Sequence, residues 1–257
     1  MRKLICSLLA AAALCLPAQA ATTVAVQVDG VSLAGPAYLE DGVTYAPLRE
    51  VLDALGGWSL RWDPESRTAV CDELGLTADP ERNAITVGGE TYDGIVEVLD
   101  GRTYVPLRLV AEALGGSAAW DPWMGGAAVT SPGAAWDAAD FYWLARVICA
   151  ESGGEPLEGQ IAVGNVVLNR VESGSFPDSI PGVVFDRETG VQFEPTINGT
   201  IYQEPSNLSL EAARRVLAGE NTAGDALYFY APALSQGAWI NDNRTYELTI
   251  GCHRFYS

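Results

Sequence analysis

The chain contains almost no lysine or histidine. Lys3 is its only lysine and His253 its only histidine, and the formal net charge of its 257 residues is -18. Without a basic strip the chain offers no surface for nucleic acid or anionic lipid, and it has no lysine nucleophile beyond its first residues. A single histidine argues against a zinc site built from cysteine and histidine. We therefore expect no metal, no cofactor and no nucleic-acid partner.

Cysteine is scarce as well. Beyond the N-terminal segment the chain has Cys71, Cys149 and Cys252, which are too few for a disulfide scaffold and odd in number. Cys149 and Cys252 fall in the same predicted domain and could pair in an oxidising compartment. Buried free thiols are the alternative, and the sequence does not choose between the two.

The N-terminus has the pattern of an export signal. Arg2 and Lys3 precede an apolar run over residues 4–16, and a small-x-small cleavage pattern, Ala-Gln-Ala, follows. The apolar run is shorter than the roughly 20 residues that span a bilayer. We predict a signal peptide over residues 1–20, cleaved after Ala20. The product would be secreted, extracellular or wall-associated, with no remaining membrane span.

Residues 21–131 contain an internal repeat with a period of about 59 residues. The first copy reads YLEDGVTYAPLREVLDALGG at residues 38–57, and the second reads EVLDGRTYVPLRLVAEALGG at residues 97–116; Trp-Asp-Pro follows each. In each copy Asp-Gly between apolar runs indicates a hairpin, and Pro-Leu-Arg opens a short helix that ends at Gly-Gly. The flanking segments alternate like half-buried strands, so we predict a small α+β unit built from two halves.

The DG-x-T-Y-x-P-L-R…ALGG pattern resembles the stalk domain that is named after the N-terminal domain of copper amine oxidases. The resemblance implies a non-catalytic spacer or wall-associating module, and the absence of histidine from this region argues against copper. Four of its aromatic residues are interpreted as core residues, with glycan stacking as the alternative: Tyr45, Tyr104, Trp62 and Trp120. The small, uncharged run at residues 130–135 predicts a domain boundary, with a linker at residues 132–136 and a second domain at residues 137–257.

The segment from Trp136 to Glu151, WDAADFYWLARVICAE, predicts a helix with Asp137 as its N-cap. Leu144 and Ile148 lie on its apolar face, and Glu151 continues that face. Burial and the negative end of the helix dipole both favour the neutral form of a carboxyl group there. The pattern suggests a protonated acid that can donate to a leaving group. A helix end exposed to solvent is the alternative.

Two further glutamates flank a proline, and Glu-Pro-x-Glu is typical of a first helical turn, where carboxylates offset the dipole. We interpret Glu155 and Glu158 as structural. The helix that follows, over about residues 157–172, is apolar on most sides and should be buried. Its polar stripe holds Asn165 and Asn169, which could bind a ligand, buttress the acid or cap neighbouring loops.

The remaining segments predict shorter elements. Asn198-Gly199-Thr200 lies between two isoleucines and predicts a hairpin turn. SLEAARRVLAGE, at residues 209–220, predicts an amphipathic helix with Ser209 as its N-cap. ALYFY, at residues 226–230, predicts a short aromatic strand.

These segments resemble, in order, the spore cortex-lytic, SleB-type cell wall hydrolases. The matching elements are LARVICAESGGEPLEGQIAVGNVVLNRV at residues 144–171, SFP at 175–177, QF at 192–193, ALYFY at 226–230 and IGCHRFY at 250–256. The resemblance implies that Glu151, in the A-E-x-x-G-E segment, is the catalytic acid. It also implies a mainly helical, lysozyme-like domain with a small antiparallel sheet. The whole chain is thus expected to be α+β with two domains. Cys252 stands where the family pattern has asparagine.

These features predict an enzyme that cleaves the MurNAc-GlcNAc bond of peptidoglycan or spore cortex. Hydrolysis of such a bond normally needs two carboxylates, and no second one stands out by motif. We therefore favour a lytic transglycosylase, in which Glu151 acts as acid and then as base. The candidate substrate-binding residues are Asn169, Gln192, Phe193, Tyr228 and His253. The alternatives are an N-acetylmuramoyl-L-alanine amidase, which usually needs zinc and histidines, and a non-catalytic wall-binding scaffold.

Overall fold

The computed structural model of the protein describes residues 21–188 and 190–257. The predicted signal peptide, residues 1–20, lies outside the described residues. The chain is α+β with two domains, as predicted: a β-rich N-terminal domain precedes a mainly helical domain with a small sheet. None of the helices in the described part is long and apolar enough to cross a membrane.

The N-terminal domain consists of two sheets and two short helices. Its strands are β1 (Thr22–Val28), β2 (Val31–Ser32), β3 (Ala37–Glu40), β4 (Val43–Pro47), β5 (Arg61–Asp63), β6 (Thr68–Cys71), β7 (Leu76–Asp79), β8 (Ala84–Val87), β9 (Glu90–Asp93), β10 (Glu97–Leu99), β11 (Arg102–Pro106), β12 (Ser117–Asp121) and β13 (Gly126–Thr130). Its helices are α1 (Leu48–Gly56) and α2 (Leu107–Ala113). One sheet has the order β10-β11-β4-β3-β1-β13-β12, with β2 beside β1, and the other has the order β5-β6-β7-β8-β9.

The two repeats meet at the centre of the larger sheet. The equivalent strands β4 and β11 pair antiparallel, with Tyr45 opposite Pro106, Ala46 opposite Val105 and Pro47 opposite Tyr104. Equivalent residues exchange partners across this pair, so a local two-fold axis passes between Ala46 and Val105. Helices α1 and α2 bury their apolar stripes in a core that the two halves share. The repeat therefore forms one domain from two halves.

The four aromatic residues that we interpreted as core residues divide into two pairs. Tyr45 and Tyr104 are buried, with exposed fractions of 5% and 6%. Trp62 and Trp120 are 45% and 44% exposed, so their interpretation as core residues is wrong. Both tryptophans lie on strands at the edges of their sheets, β5 and β12, which have a neighbouring strand on one side only. Burial at such positions depends on what packs beside the edge, which the repeat pattern does not specify.

The C-terminal domain packs helices around a buried centre, with a small sheet beside them. Its helices are α3 (Ala138–Ser152), α4 (Leu157–Glu172), α5 (Ile180–Phe185), α6 (Pro195–Asn198), α7 (Asn207–Leu217) and α8 (Ala238–Asn243). Its strands are β14 (Tyr228–Tyr230), β15 (Tyr246–Ile250) and β16 (His253–Tyr256), in the antiparallel order β14-β16-β15. Helices α3, α4 and α7 contact one another, and α4 also contacts the sheet.

Two local predictions in this domain are wrong. Residues 198–200 do not form a hairpin: α6 ends there, Gly199 adopts φ 84°, and a 3-10 turn follows at Thr200–Tyr202. Asn-Gly is also a signal for a helix C-terminus, and here that signal prevails. Helix α7 is capped by Ser206, whose Oγ accepts from the Ser209 amide over 3.1 Å. Ser209 is instead buried and donates to Gln160.

The three cysteines of the described chain are free thiols, so Cys149 and Cys252 do not form a disulfide. Cys71 is buried in the N-terminal core, Cys149 is partly buried in α3, and Cys252 is exposed.

A buried contact around Trp143 of α3 joins the two domains. Trp143 is fully buried, and its Nε1 donates to Oδ2 of Asp121 over 2.7 Å. The Oδ1 atom of Asp121 accepts from the amides of Trp123 and Met124, at 2.9 and 3.1 Å. The ring of Trp123 stacks on Phe185 with centroids 4.3 Å apart. One carboxylate oxygen of Asp121 thus accepts a hydrogen bond from the C-terminal domain, and the other accepts two from the N-terminal domain. Because both oxygens of this buried carboxylate have donors, the contact between the domains is strong.

The connection between the domains is also held in place. The predicted linker, residues 132–136, falls between β13 and α3; the domain limits themselves stay a prediction. Just before it, the Ser131 amide donates to Oδ1 of Asp29 over 2.9 Å. Gly30 adopts φ 83° and lies so close to the ring of Phe141 that any side chain would overlap it. The N-terminal domain thus packs directly against α3.

We expect Asp121→Ala to lower the free energy of unfolding by about 1–3 kcal/mol, because it leaves the Trp143 N–H buried without an acceptor. Asp63→Ala is the matched control. Asp63 holds the equivalent turn of the first repeat through the Glu65 amide and the Ser66 hydroxyl, without a contact to the other domain. Its loss should cost under about 1 kcal/mol. Urea unfolding followed by tryptophan fluorescence measures both, and equal losses would contradict the prediction.

Candidate active site

Glu151 stands in the last turn of helix α3. The helix begins after Asp137, whose Oδ1 accepts from the Ala139 amide over 2.8 Å, as the sequence predicts for an N-cap. Leu144 and Ile148 are fully buried. Because Glu151 continues their face, its carboxyl group reaches a partly buried position at the end of the helix.

The environment of Glu151 favours its protonated form. The pKa of Glu151 is raised from 4.5 to about 7: burial is the largest cause, the negative charge of Glu194 acts in the same direction, and the positive charge of Arg170 opposes both. An acid with this pKa is substantially protonated at neutral pH and still able to lose its proton. That is the property that a catalytic proton donor needs.

Arg170 supplies a fixed positive charge to the site. It lies in the last turn of α4 and is 5% exposed. Its Nε donates to the carbonyl oxygen of Leu227 over 2.8 Å, and its Nη1 donates to Oε1 of Gln192 over 3.4 Å. Burial lowers the pKa of Arg170 to about 10, against the opposing effect of nearby acidic groups that include Glu151. The guanidinium therefore remains charged at neutral pH.

Three of the predicted substrate-binding residues gather around Arg170. Its guanidinium carbon lies 5.2 Å from the ring centroid of Phe193 and 5.6 Å from that of Tyr228. Phe193 is fully buried, whereas Tyr228 is partly buried and its hydroxyl accepts from Arg244 over 3.0 Å. Gln192 is the third, through its bond to Arg170. Contact of these side chains with a substrate stays a prediction.

Asn169 forms hydrogen bonds to the loop that precedes β14. Its Nδ2 donates to the carbonyl oxygens of Gly224 and Ala226, at 2.8 and 2.9 Å. Asn165 acts similarly one turn earlier, since its Nδ2 donates to the carbonyl of Glu220 over 2.7 Å. Of the roles that the sequence left open for this polar stripe, the structure favours capping of neighbouring loops. Substrate binding by Asn169 stays a prediction.

His253 lies beside Glu155. Its Nδ1 lies 3.9 Å from Oε1 of Glu155, and burial lowers the pKa of His253 while Glu155 opposes that effect. The other oxygen of Glu155 accepts from the Cys252 amide over 2.9 Å. Gly251 adopts φ 57°, and a side chain there would overlap that oxygen. Glu155 therefore holds the turn between β15 and β16, and a role for His253 in binding stays a prediction.

A cavity of about 360 Å³ borders the turn that carries Glu151. Cys149 and Ala150, which directly precede the acid, line one side, and Glu194 and Asn198 at α6 line another. Glu151 itself is not among the lining residues, so the cavity lies beside the end of α3 and not around the carboxyl group.

The sequence interpretation missed Glu194 and Arg170. Glu194 directly precedes a proline, which indicates the start of a short helix but not a carboxylate near Glu151. Arg170 ends an otherwise apolar helix, which is a weak sign of a buried charge. Both lie far from Glu151 in sequence, so only the fold brings their charges together with it. Within residues 21–188 and 190–257, no group of three or more His, Cys, Asp or Glu side chains could hold a metal ion.

Comparison with known proteins extends these observations. Residues 154–256 match the Cell Wall Hydrolase family, and residues 27–125 match the Copper amine oxidase N-terminal domain. The cell wall hydrolase CwlJ of Halalkalibacterium halodurans is 36% identical over 99 residues, which cover 36% of this chain and 68% of that protein. The chain belongs to the cell wall hydrolase family. Both resemblances inferred from the sequence are confirmed, although the matched family residues begin after Glu151.

Other members of the family are longer. The spore cortex-lytic enzyme of Oceanobacillus iheyensis is 37% identical over 101 residues, or 39% of this chain and 36% of that protein. The enzyme of the same name from Bacillus subtilis is 36% identical over 101 residues, or 39% of this chain and 32% of that protein. The chain thus spans about a third of the length of these relatives. The solved catalytic domain of the germination-specific lytic transglycosylase SleB from Bacillus anthracis is 34% identical, covers 48% of this chain and 97% of that one, and has a TM-score of 0.44.

We expect Glu151→Gln to stabilise the protein above pH 7 and not at pH 4. In the unfolded chain Glu151 ionises near its ordinary pKa of 4.5, and in the folded chain near about 7, so the wild type loses stability as the pH rises between these values. Glutamine does not titrate, so the gain should reach up to about 3 kcal/mol. Urea unfolding from pH 4 to pH 8 measures it. Exposed Glu158→Gln is the control and should not stabilise the protein above pH 7. A gain from Glu151→Gln that does not change with pH would refute the raised pKa.

Proposed function

We propose that the C-terminal domain is a lytic transglycosylase that cleaves the MurNAc-GlcNAc bond of peptidoglycan with Glu151 as its catalytic residue. The observation that carries the proposal is the partly buried Glu151 with a pKa raised to about 7. Family membership supports a wall substrate, and relatives carry the names spore cortex-lytic enzyme and lytic transglycosylase.

The proposed reaction uses one carboxyl group twice. Protonated Glu151 donates its proton to the glycosidic oxygen, the bond from that oxygen to C1 of MurNAc breaks, and the GlcNAc hydroxyl leaves. The Glu151 carboxylate then accepts the proton of the C6 hydroxyl of the same MurNAc, whose oxygen attacks C1. The product is a 1,6-anhydro-MurNAc end, and Glu151 is protonated again. The positive charge of Arg170 stabilises the carboxylate between the two steps.

Simple hydrolysis is the second candidate, and Glu194 is the observation that favours it. Hydrolysis of a glycosidic bond uses two carboxylates, and the charge of Glu194 acts on Glu151. We favour the lytic route because Glu194 is exposed and no side chain holds it in the described hydrogen-bond network. An amidase is less well supported, since one histidine paired with Glu155 does not supply the usual zinc ligands.

We further propose that the protein is exported and acts on the wall or on spore cortex. Its leader pattern at residues 1–20 supports export, and the names of the spore cortex-lytic relatives support spore cortex as a substrate.

We expect Glu151→Gln to abolish the release of fragments from purified sacculi, because the glutamine amide cannot donate a proton to the glycosidic oxygen. Glu158→Gln should release fragments at the rate of the wild type. Mass spectrometry of the fragments identifies the bond. Anhydro-muramic ends are expected; reducing muramic or glucosamine ends would replace the lytic route by hydrolysis, and newly freed L-alanine amines would indicate the amidase. Undiminished release by Glu151→Gln would contradict the catalytic role.

Glu194→Gln separates the two candidates further. In the lytic route it removes a negative charge near Glu151, lowers the pKa of the acid and moves the alkaline limb of kcat/KM to lower pH, by about half a unit to one unit. At about pH 5 the rate should remain within about threefold of the wild type. If Glu194 were the second carboxylate of a hydrolase, the rate would fall at least a hundredfold or so at every pH.

A further inference from the structure

Two equivalent grooves open on the N-terminal domain, one for each repeat. The first, of about 410 Å³, is lined by Arg61 and Trp62 of the first repeat and by Arg102 and Thr103 of the second. The second, of about 350 Å³, is lined by the corresponding residues Ala119 and Trp120 of the second repeat and Val43 and Thr44 of the first. Each groove therefore lies between the strand that carries the tryptophan in one repeat and the hairpin of the other repeat. These are β5 and the β10–β11 hairpin for the first groove, and β12 and the β3–β4 hairpin for the second.

The local two-fold axis between β4 and β11 explains this arrangement. Because the repeats exchange partners across that axis, any groove between the Trp strand of one copy and the hairpin of the other occurs twice. An exposed tryptophan in each groove, Trp62 at 45% and Trp120 at 44%, follows from the same symmetry. Aromatic side chains that line a cavity are common in ligand-binding sites.

The two grooves differ in charge. Arg49, Arg61 and Arg102 line the first, together with a single glutamate, Glu50, which lies 3.4 Å from Arg102. Arg61 pairs with Asp72 over 2.8 Å, and among the residues that the structure describes Arg49 has no ion-pair partner.

The second groove has Arg108 alone, and its Nε donates to the carbonyl of Ala118 over 3.0 Å. The residues equivalent to Arg61 and Arg102 are Ala119 and Val43, so this groove is apolar where the first is basic. Arg61 and Arg102 have acidic partners, which leaves the guanidinium of the exposed Arg49 as the positive charge beside Trp62 that an anion can reach in a chain with a net charge of -18.

We propose that the groove around Trp62 binds a carboxylate-bearing glycan strand, with a sugar ring on the indole face of Trp62 and a carboxylate held by Arg49. Peptidoglycan has both groups, because every second sugar of the strand, MurNAc, carries a lactyl-linked peptide that ends in a carboxylate. The guanidinium groups of Arg61 and Arg102 add to the positive electrostatic potential of the groove. Each can also leave its present carboxylate partner, Asp72 or Glu50, to bind the carboxylate of the ligand. Only the identity of the glycan rests on the proposed function; the site lies in the other domain. The N-terminal domain would then hold the enzyme on its substrate.

The experiment measures the binding of the full chain to purified sacculi by co-sedimentation, in a Glu151→Gln background that leaves the sacculi intact. Trp62→Ala should weaken binding about tenfold, as expected for the loss of one aromatic anchor. Trp120→Ala, at the symmetry-equivalent position, is the matched control and should change binding less than about twofold. Arg49→Ala should weaken binding and reduce its dependence on salt. Thermal unfolding checks that each variant remains folded, which is expected because all three side chains are exposed.

Two outcomes would overturn the proposal: equal effects of the two tryptophan variants, or no loss of binding by Trp62→Ala. A second probe tests the ligand class. Soluble glycan fragments with intact peptides should compete for the Trp62-dependent binding, and fragments whose carboxylates have been amidated should not. Equal competition by both kinds of fragment would show that Arg49 does not bind a carboxylate. Fragment release by Glu151 is read separately, in the wild-type background. If the wild type releases no fragments while Trp62-dependent binding persists, the proposed reaction is wrong and the proposed binding site around Trp62 still stands.

Discussion

The burial of helix α3 is the constraint on which the rest of the structure depends. Near its N-terminal end, Trp143 is enclosed between the domains and donates to Asp121 of the second repeat. At its other end, the same helix carries Glu151 into a partly buried position. A helix fixed in this way cannot rotate to expose its acid to water without breaking the Trp143 bond to Asp121 and the edge-on contact of Trp143 with Phe185. The N-terminal domain is therefore part of the support of the acid.

The electrostatics of the site follow from that burial. Removal from water alone would favour a neutral Glu151, and the charge of Glu194 acts in the same direction. Arg170, held by the carbonyl of Leu227 and by Gln192, limits the effect. The acid thus keeps a pKa near neutrality, where it can both lose and regain a proton. Without the buried cation, the carboxylate that forms after proton donation would lack a compensating charge in a poorly solvated place.

Local patterns in the sequence predicted what local physics determines. The repeat, the cap at Asp137 and the apolar stripe that leads to Glu151 depend on residues close together in the chain. Trp62 and Trp120 were misinterpreted because the burial of an edge strand depends on distant neighbours, and residues 198–200 because Asn-Gly serves hairpins and helix ends alike. Glu194 and Arg170 are close to Glu151 through the fold alone. The family resemblance implies Glu151 as the catalytic acid, and the structure shows the charges that adjust its pKa.

Duplication explains why the N-terminal domain can do two things at once. Each repeat contains one Trp-Asp-Pro turn, and the aspartates of the two turns make different contacts. The second turn contributes Asp121 to the contact with α3, while in the first turn Asp63 bonds only to its own loop. The grooves differ in the same sense, since arginines occupy positions around Trp62 that are alanine and valine around Trp120. The second half thus contacts α3 through Asp121, and the first half keeps Trp62 and Arg49 exposed, where we propose that the glycan binds.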